Sequence, residues 1–417
     1  MAERNWAGNL VFTPGAVHHP RDIEELRSVV AGAERVRVLG ARHSFTPIAD
    51  SGELVSLRAL PAEVDFDSVA GTVTCNAAVT YGELARDLAR MGLALPNLPS
   101  LPHVSLAGAI ATATHGSGDA LGNLATSVEG LELVTSTGEL VAIGRGEPDF
   151  DGAVVHLGAL GAVTRVTSRV EPSYGVSQEV FENLTWEALT EHFDELMAVG
   201  DSVSVFTTWG EVAGRVWVKR RCDGADAAAG LGETLFGAIA ATRQLHPIAG
   251  GDPSTCTPQL GLPGEWYERL PHFRPEFTPS AGEELQSEYI LARGDAIAAI
   301  AAVRALRDEI RPLLHVSEIR TIAGDDLWMS PEHGRDSVAI HFTWQRRQEE
   351  VEHVLASVEA ALEPFAPRPH WGKLFVASRE ALAGRYERLD AFRALIARLD
   401  PRGAFANAWL EQRLLGG

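Results

Sequence analysis

Two short alternations in the second half of the chain carry ionisable groups where a packed strand would carry apolar ones. Glu318 and Arg320 lie two apart within residues 316–322, and His341 and Thr343 lie two apart within residues 339–344. Lys373 follows shortly after, while Gln286 and Glu288 precede the apolar run Tyr289-Ile290-Leu291. A spacing of two puts each pair on one face of a strand, with Ile340, Phe342 and Trp344 on the other. Arginine, lysine, histidine, glutamate, glutamine and threonine together offer donors and acceptors in the mixture a polyhydroxylated ligand needs. An ordinary antiparallel sheet with one solvated face gives the same pattern, so these residues make a site only if another unit roofs them.

The first half supplies a second candidate. Residues 35–44 read as an alternating strand that runs into the small-residue turn Gly40-Ala41-Arg42-His43-Ser44. A glycine at a strand end lets backbone N–H groups converge on an anion and sets His43 beside whatever is held. Residues 105–118 are almost all small or hydroxylated, with Ser105, Thr112, Thr114, His115 and Ser117 among glycines and alanines. Such a surface permits close backbone approach to a large flat ligand and offers short donors to a pyrophosphate without a lysine.

The elements that must position these residues follow from periodicity. Residues 20–30 predict an amphipathic helix with Ile23, Leu26, Val29 and Val30 inward, leading into the strand at Val36 in a βαβ-like arrangement. Hairpins are predicted over 64–76 and 131–143, and Thr80 with Glu83 forms a capping box. A turn at 157–161 feeds a strand to Val170, and a boundary falls near Glu171-Pro172. Beyond it, helices are predicted over 185–199 and 296–310 among alternating strands, with an irregular Gly-, Ala- and Pro-rich excursion at 223–264.

Composition narrows the function classes. A chain of 417 residues should form two or three domains, and a formal charge of -20 disfavours nucleic acid and anionic membrane as partners. Cys75, Cys222 and Cys256 are too scattered for a disulfide framework, and the charged start of the chain lacks a secretory apolar region, so a cytoplasmic location is expected. The apolar run 296–303 falls short of the ~20 residues of a membrane span. The three-glycine dinucleotide fingerprint, the P-loop and His-Glu-x-x-His are absent, and no metal is expected.

Taken together, residues 40–44, 95–108, 114–118, 286–289, 318–320, 334–344, 368–373 and 400–407 closely resemble the alditol oxidases, bacterial flavoproteins of the vanillyl-alcohol oxidase family. The resemblance runs from about Asn5 to the C-terminus and implies a two-domain α+β fold. It comprises an FAD-binding domain of two α/β subdomains (1–175), a cap with a mainly antiparallel sheet flanked by helices (176–372) and a C-terminal return (373–417). It further implies FAD attached covalently through His43, with contacts from Val38, Leu39, Gly40, Ala41, Arg42, Ser44, Ser105, Thr112, His115, Gly116, Ser117, Gly118, Val163 and His370. Many relatives carry glycine where this chain has Arg42, and a left-handed conformation there would cost roughly 1–2 kcal/mol.

The same resemblance assigns Ser105, Glu318, Arg320, Thr343 and Lys373, with Gln286 and His341 nearby, to the substrate. The reaction implied is oxidation of the terminal hydroxyl of xylitol, sorbitol or a similar polyol by hydride transfer to flavin N5, with O2 as acceptor and a monomeric enzyme. A cation ~4 Å from a developing alkoxide supplies roughly 4 kcal/mol at an effective dielectric of about 20. Arg320 and Lys373 together would then bring an alcohol from about 16 to near 10, still too high for a free alkoxide, so proton loss to His341 or Lys373 should accompany hydride transfer. Glu318 is expected to orient a hydroxyl and Arg320. A sugar-1,4-lactone oxidase or dehydrogenase on the same scaffold, or a flavin-binding sensor without turnover, remains the alternative.

Overall fold

The computed structural model describes residues 3–222, 230–277 and 284–416. Asp22 accepts the Glu25 N–H and starts the helix Ile23–Gly32, whose Leu26 and Val30 are fully buried. This helix carries the chain from Ala16–His18 to Val36–Val38, and both strands pair in parallel with Glu53–Val55 between them. Parallel strands require a crossover, which the helix provides. The outlet of Val36–Val38 is the 40–44 turn.

An antiparallel sheet lies beside it in the order Leu140–Gly144, Val128–Val134, Ala162–Arg169, Thr72–Asn76, Val64–Asp67. Both predicted hairpins are pairs of this sheet. Thr80 and Glu83 cap the helix Tyr81–Arg90 reciprocally, as their spacing predicts.

Beyond Gly175 a larger antiparallel sheet takes over. Its order among the described residues is Thr234–Leu235, Ala238–Ala240, Gly175–Leu184, Gly214–Arg221, Ser202–Thr207, Leu314–Ile322, Ser337–Gln345, Glu284–Ala292, Arg368–Pro369, with Gly264–Glu265 also paired to Gly175–Leu184. Ile319, Ile340 and Phe342 on its apolar face join one buried cluster with Ile300 and Val303 of helix Ala296–Ala305 and Val351 and Leu355 of helix Gln348–Leu362. The C-terminal segment then returns to the first sheet. Val36 N–H donates to Ala404 O at 2.8 Å, and Asn407 Nδ2 donates to the carbonyls of Pro47, Ile48 and Asp50. No helix among the described residues is long and apolar enough to cross a membrane.

Two expectations change. The helix predicted over 185–199 is two pieces, Trp186–Glu191 and Phe193–Met197, separated where His192 takes φ −124° and ψ 27°. Likewise 296–310 divides into Ala296–Ala305 and Arg307–Ile310 at Leu306. The apolar face continues across both breaks, with Leu189, Phe193 and Leu196 buried in one and Ile300, Val303 and Ile310 in the other, so periodicity conceals them. Of the irregular excursion, 223–229 lies outside the described residues, and the rest carries only short pieces such as Ala238–Ala240 and Pro253–Thr255.

A buried carboxyl pair ties the two halves together. Asn123 Nδ2 donates to Asp325 Oδ2 at 2.7 Å and Glu332 Oε2 at 3.1 Å, fastening the loop between Leu314–Ile322 and Ser337–Gln345 to the N-terminal half. Burial, and then the Glu332 charge, push Asp325 up to about 7. An unfolded aspartate titrates near ~3.9, so the folded state retains a proton between those values and stability falls as pH rises through that window. The thermal midpoint should therefore drop between about pH 5 and about pH 8, and Glu332→Gln should shrink that drop by removing the like charge. An equal drop in both proteins, measured by thermal denaturation, refutes the account.

Candidate active site

The 40–44 turn and the small-residue segment meet at Ser105. Ser105 begins the helix Leu106–Ala111, yet its hydroxyl makes no capping bond; Oγ instead accepts the Ala41 N–H at 3.3 Å. Glycines make this approach possible: a Cβ on Gly40 would stand 2.6 Å from Ser105 Oγ, and one on Gly108 2.7 Å. Arg42 does adopt the left-handed conformation, at φ 62°, and its guanidinium pairs with Glu3. The next residue, His43, is half-buried under Trp6, with ring centroids 5.4 Å apart. Burial, aided by His103, lowers His43 to about 4, so the ring is neutral, and its buried Nδ1 has no partner.

Opposite stands the polar face of the large sheet. Register aligns Glu318 with His341 and His341 with Glu288, and sets Gln286 beside Thr343. Glu318, Arg320, His341 and Thr343 are all buried, so the face is roofed and is not a solvated side of the sheet. The roof includes His115 and Ser100 from the N-terminal half: His115 Nε2 lies 3.3 Å from Glu288 Oε2, and Arg320 Nη1 lies 3.5 Å from Ser100 Oγ.

Glu288 organises this wall. It has no exposed surface, receives Arg320 Nη2 on one oxygen at 2.5 Å and Lys373 Nζ on the other at 2.5 Å. Burial opposes its ionisation, but Lys373, His115 and Arg320 hold it well below the usual carboxylate range. Glu318 behaves similarly: burial opposes its charge, while Arg320, 3.7 Å away, and His272, whose Nε2 is 3.0 Å from Oε1, keep it ionised. Burial lowers Lys373, with Glu288 resisting. Burial and the Lys373 charge bring His341 down to about 3, and its Nε2 has no hydrogen-bond partner.

One cleft joins the two walls. Val38, Leu39, Gly40, Ala41, Arg42, His43, Ser44, Ser105, Thr112, His115, Val163 and His370 line it from the cofactor set, and Gln286, Glu318, Arg320, His341, Thr343 and Lys373 from the substrate set. Gly116, Ser117 and Gly118 are not on its wall. Ser117 Oγ bonds Ser202 Oγ at 2.5 Å, and a Cβ on Gly116 or Gly118 would collide with Asn97 Oδ1 or Asp201 O. These small residues let the segment pack on its neighbours. Periodicity sets Glu288 beside Gln286 without giving it a role, and it gives His272 none. Glu288 was within reach, since it continues the alternation of Gln286, whereas nothing local marks His272.

Glu288 also alters the charge argument. Two carboxylates face Arg320 and Lys373, so the wall is near neutral and cannot acidify an alcohol as two free cations would. For FAD, the orphaned neutral imidazole of His43 beside a glycine-lined turn fits a flavin, and the hydroxyl- and glycine-bearing surface around Gly108 and Thr112 fits its phosphate-bearing portion.

Comparison with known proteins agrees. A family model described as an FAD binding domain matches residues 14–144, and one described as D-arabinono-1,4-lactone oxidase matches residues 285–413. An alditol oxidase from a Streptomyces species is 50% identical over 420 residues, covering 100% of this chain and 99% of that protein. An L-gulono-1,4-lactone dehydrogenase from Mycobacterium tuberculosis is 30% identical over 429 residues, covering 99% and 98%. Among solved structures, cholesterol oxidase from B. sterolicum shares the fold with a TM-score of 0.78 over 99% of this chain and 96% of that one, at 16% identity. Identity sustained along the whole chain, on this α+β scaffold, places the protein in the alditol oxidase family, FAD-dependent oxidases with the vanillyl-alcohol oxidase fold.

Proposed function

We propose that the protein oxidises the terminal primary hydroxyl of alditols such as xylitol and sorbitol to the aldose, reducing O2 to H2O2. The observation that carries this reading is the buried face of mixed donors and acceptors opposite the His43 turn. It occurs in a chain 50% identical to an alditol oxidase over its full length. Residues 1–175 form the FAD domain in this reading, 176–372 the cap and 373–417 the return. The enzyme acts as a cytoplasmic monomer, and three free cysteines are in keeping with a reducing compartment.

Bound FAD supplies the hydride acceptor at N5 and returns two electrons to O2, so that R–CH2OH and O2 become R–CHO and H2O2. His43, neutral and unpartnered, would hold FAD through an N–C bond to the 8α-methyl carbon that replaces one C–H bond and the imidazole N–H, O2 taking up the two hydrogens as H2O2. Ser105, Gln286, Glu318 and Thr343 hold the hydroxyls of the substrate. Arg320 and Lys373 donate to the reacting oxygen as negative charge develops on it. Because Glu288 and Glu318 offset their charge, proton loss must accompany hydride departure. The open Nε2 of His341 takes the proton; burial and the Lys373 charge leave the resting ring a weak base even beside Glu288 and Glu318, so it accepts only as the hydride departs.

The lactone-oxidase match over 285–413 and the 30% identical lactone dehydrogenase favour one rival, an aldonolactone as substrate. Anaerobic xylitol should bleach the flavin within seconds and, in air, release peroxide. A higher kcat/KM for the aldonolactone establishes the rival, and an unbleached spectrum with both substrates leaves a flavin-binding protein without turnover.

Acid precipitation of the native protein should carry yellow flavin into the pellet, while His43→Ala should release its flavin to the supernatant. Flavin retained in the His43→Ala pellet rules out that linkage.

Lys373→Met and His341→Leu should each slow anaerobic flavin reduction by about a hundredfold or more while FAD stays bound. Rates near wild type would return these residues to a structural role.

A further inference from the structure

From Glu318, on the cleft wall, a chain of buried groups that the reaction above does not use runs inward through His272 to Lys219. His272 Nε2 approaches Glu318 Oε1 at 3.0 Å, and Lys219 Nζ approaches His272 Nδ1 at 3.3 Å. Lys219 Nζ also donates to the carbonyl oxygens of Leu270 and, at 3.2 Å, Pro271. Phe206 and Trp217 hold the His272 ring edge-on, with centroids 5.4 and 5.5 Å away. Lys219 is 1% exposed and does not line the cleft, whereas His272 and Glu318 do.

Proton positions in this chain are dictated from both ends. A carboxylate only accepts, so the His272 nitrogen facing Glu318 must carry hydrogen. Burial, with the Lys219 charge, lowers His272 to about 4, so the ring is neutral and Nδ1 is bare. A bare Nδ1 needs a donor, and Lys219, lowered to about 7 by burial, supplies one as an ammonium with three N–H groups or as an amine with two. In the ammonium form two carbonyls and Nδ1 take the three hydrogens. The opposite tautomer would set a lone pair against the Glu318 carboxylate and an N–H against the ammonium.

We propose that Lys219 is a positioning residue for the oxidase: by fixing the Nε2–H tautomer of His272 it holds Glu318 in the orientation that receives the substrate hydroxyl. The effect falls on binding of the substrate, since Lys219 touches neither substrate nor flavin. This inference rests on the polyol reading for its substrate, and on geometry alone for the tautomer.

The test is steady-state oxidation of xylitol by holoenzymes of matched flavin content. Lys219→Met should raise KM about tenfold or more with kcat changed by no more than about threefold. His272→Leu should do the same. His272→Gln, whose amide presents N–H2 near the Nε2 position without needing a tautomer chosen for it, should stay within about threefold of wild type. Adding Lys219→Met to His272→Gln should then have little further effect. A wild-type KM in Lys219→Met, or an equal penalty in the His272→Gln background, overturns the proposal. If Lys219→Met fails to fold, 15N signals of His272 in the wild-type holoenzyme decide, using His272→Gln to assign them: an Nδ1–H ring overturns the proposal and an Nε2–H ring supports it. Absence of xylitol oxidation by the wild type would instead defeat the polyol reading, and the nitrogen signals would still judge the relay.

Discussion

A single carboxylate with no exposed surface, Glu288, is the constraint around which the site is built. Its isolation in a low-dielectric interior would cost several kcal/mol, and three elements meet to prevent that. Arg320 comes from a strand of the same sheet, Lys373 from the segment that follows the strand Arg368–Pro369, and His115 from the small-residue run of the N-terminal half. None of the three can move away without leaving a buried charge uncompensated. Cover of the cleft by the large sheet and alignment of the site are therefore one electrostatic requirement.

The opposite wall depends on absence of bulk. Ser105 reaches the Ala41 N–H because Gly40 and Gly108 have no Cβ to block it. Arg42 shows the strain tolerated there: its left-handed backbone turns His43 under Trp6, and the return segment through Asn407 braces the neighbouring carbonyls of Pro47, Ile48 and Asp50. A more relaxed residue at 42 would ease the turn without altering where the imidazole must point.

Much of this was legible in the sequence because it follows from local periodicity. The strand-to-turn outlet at residue 40, both hairpins, the Thr80–Glu83 capping box and the polar faces at 318–320 and 341–343 depend on neighbours within a few residues. What was hidden depends on distant packing. The breaks at His192 and Leu306 leave the apolar pattern intact. Nothing local announces that Asn97 and Asp201 pack where a Cβ on Gly116 or Gly118 would stand. Whether the polar face was roofed or solvated could be decided only by the position of the other half. His272 lies outside any regular element and acquires meaning from Glu318, 46 positions away.

Charge balance narrows what such a cleft can bind. An anionic ligand such as a sugar phosphate would need a cation free to meet it, and Arg320 and Lys373 are already bonded to Glu288. Removing either would leave a buried carboxylate with one cation fewer to offset its desolvation. A cation would face Arg320 and Lys373 at short range and gain little from carboxylates that are already paired. A neutral ligand rich in hydroxyls loses nothing on either count: each hydroxyl can donate to an oxygen of Glu318, Gln286 or Thr343 and accept from Arg320 or Lys373 without separating an ion pair. The same neutrality excludes a stored alkoxide and forces the two transfers to occur together. Substrate class and timing of proton loss thus follow from one buried set of paired charges.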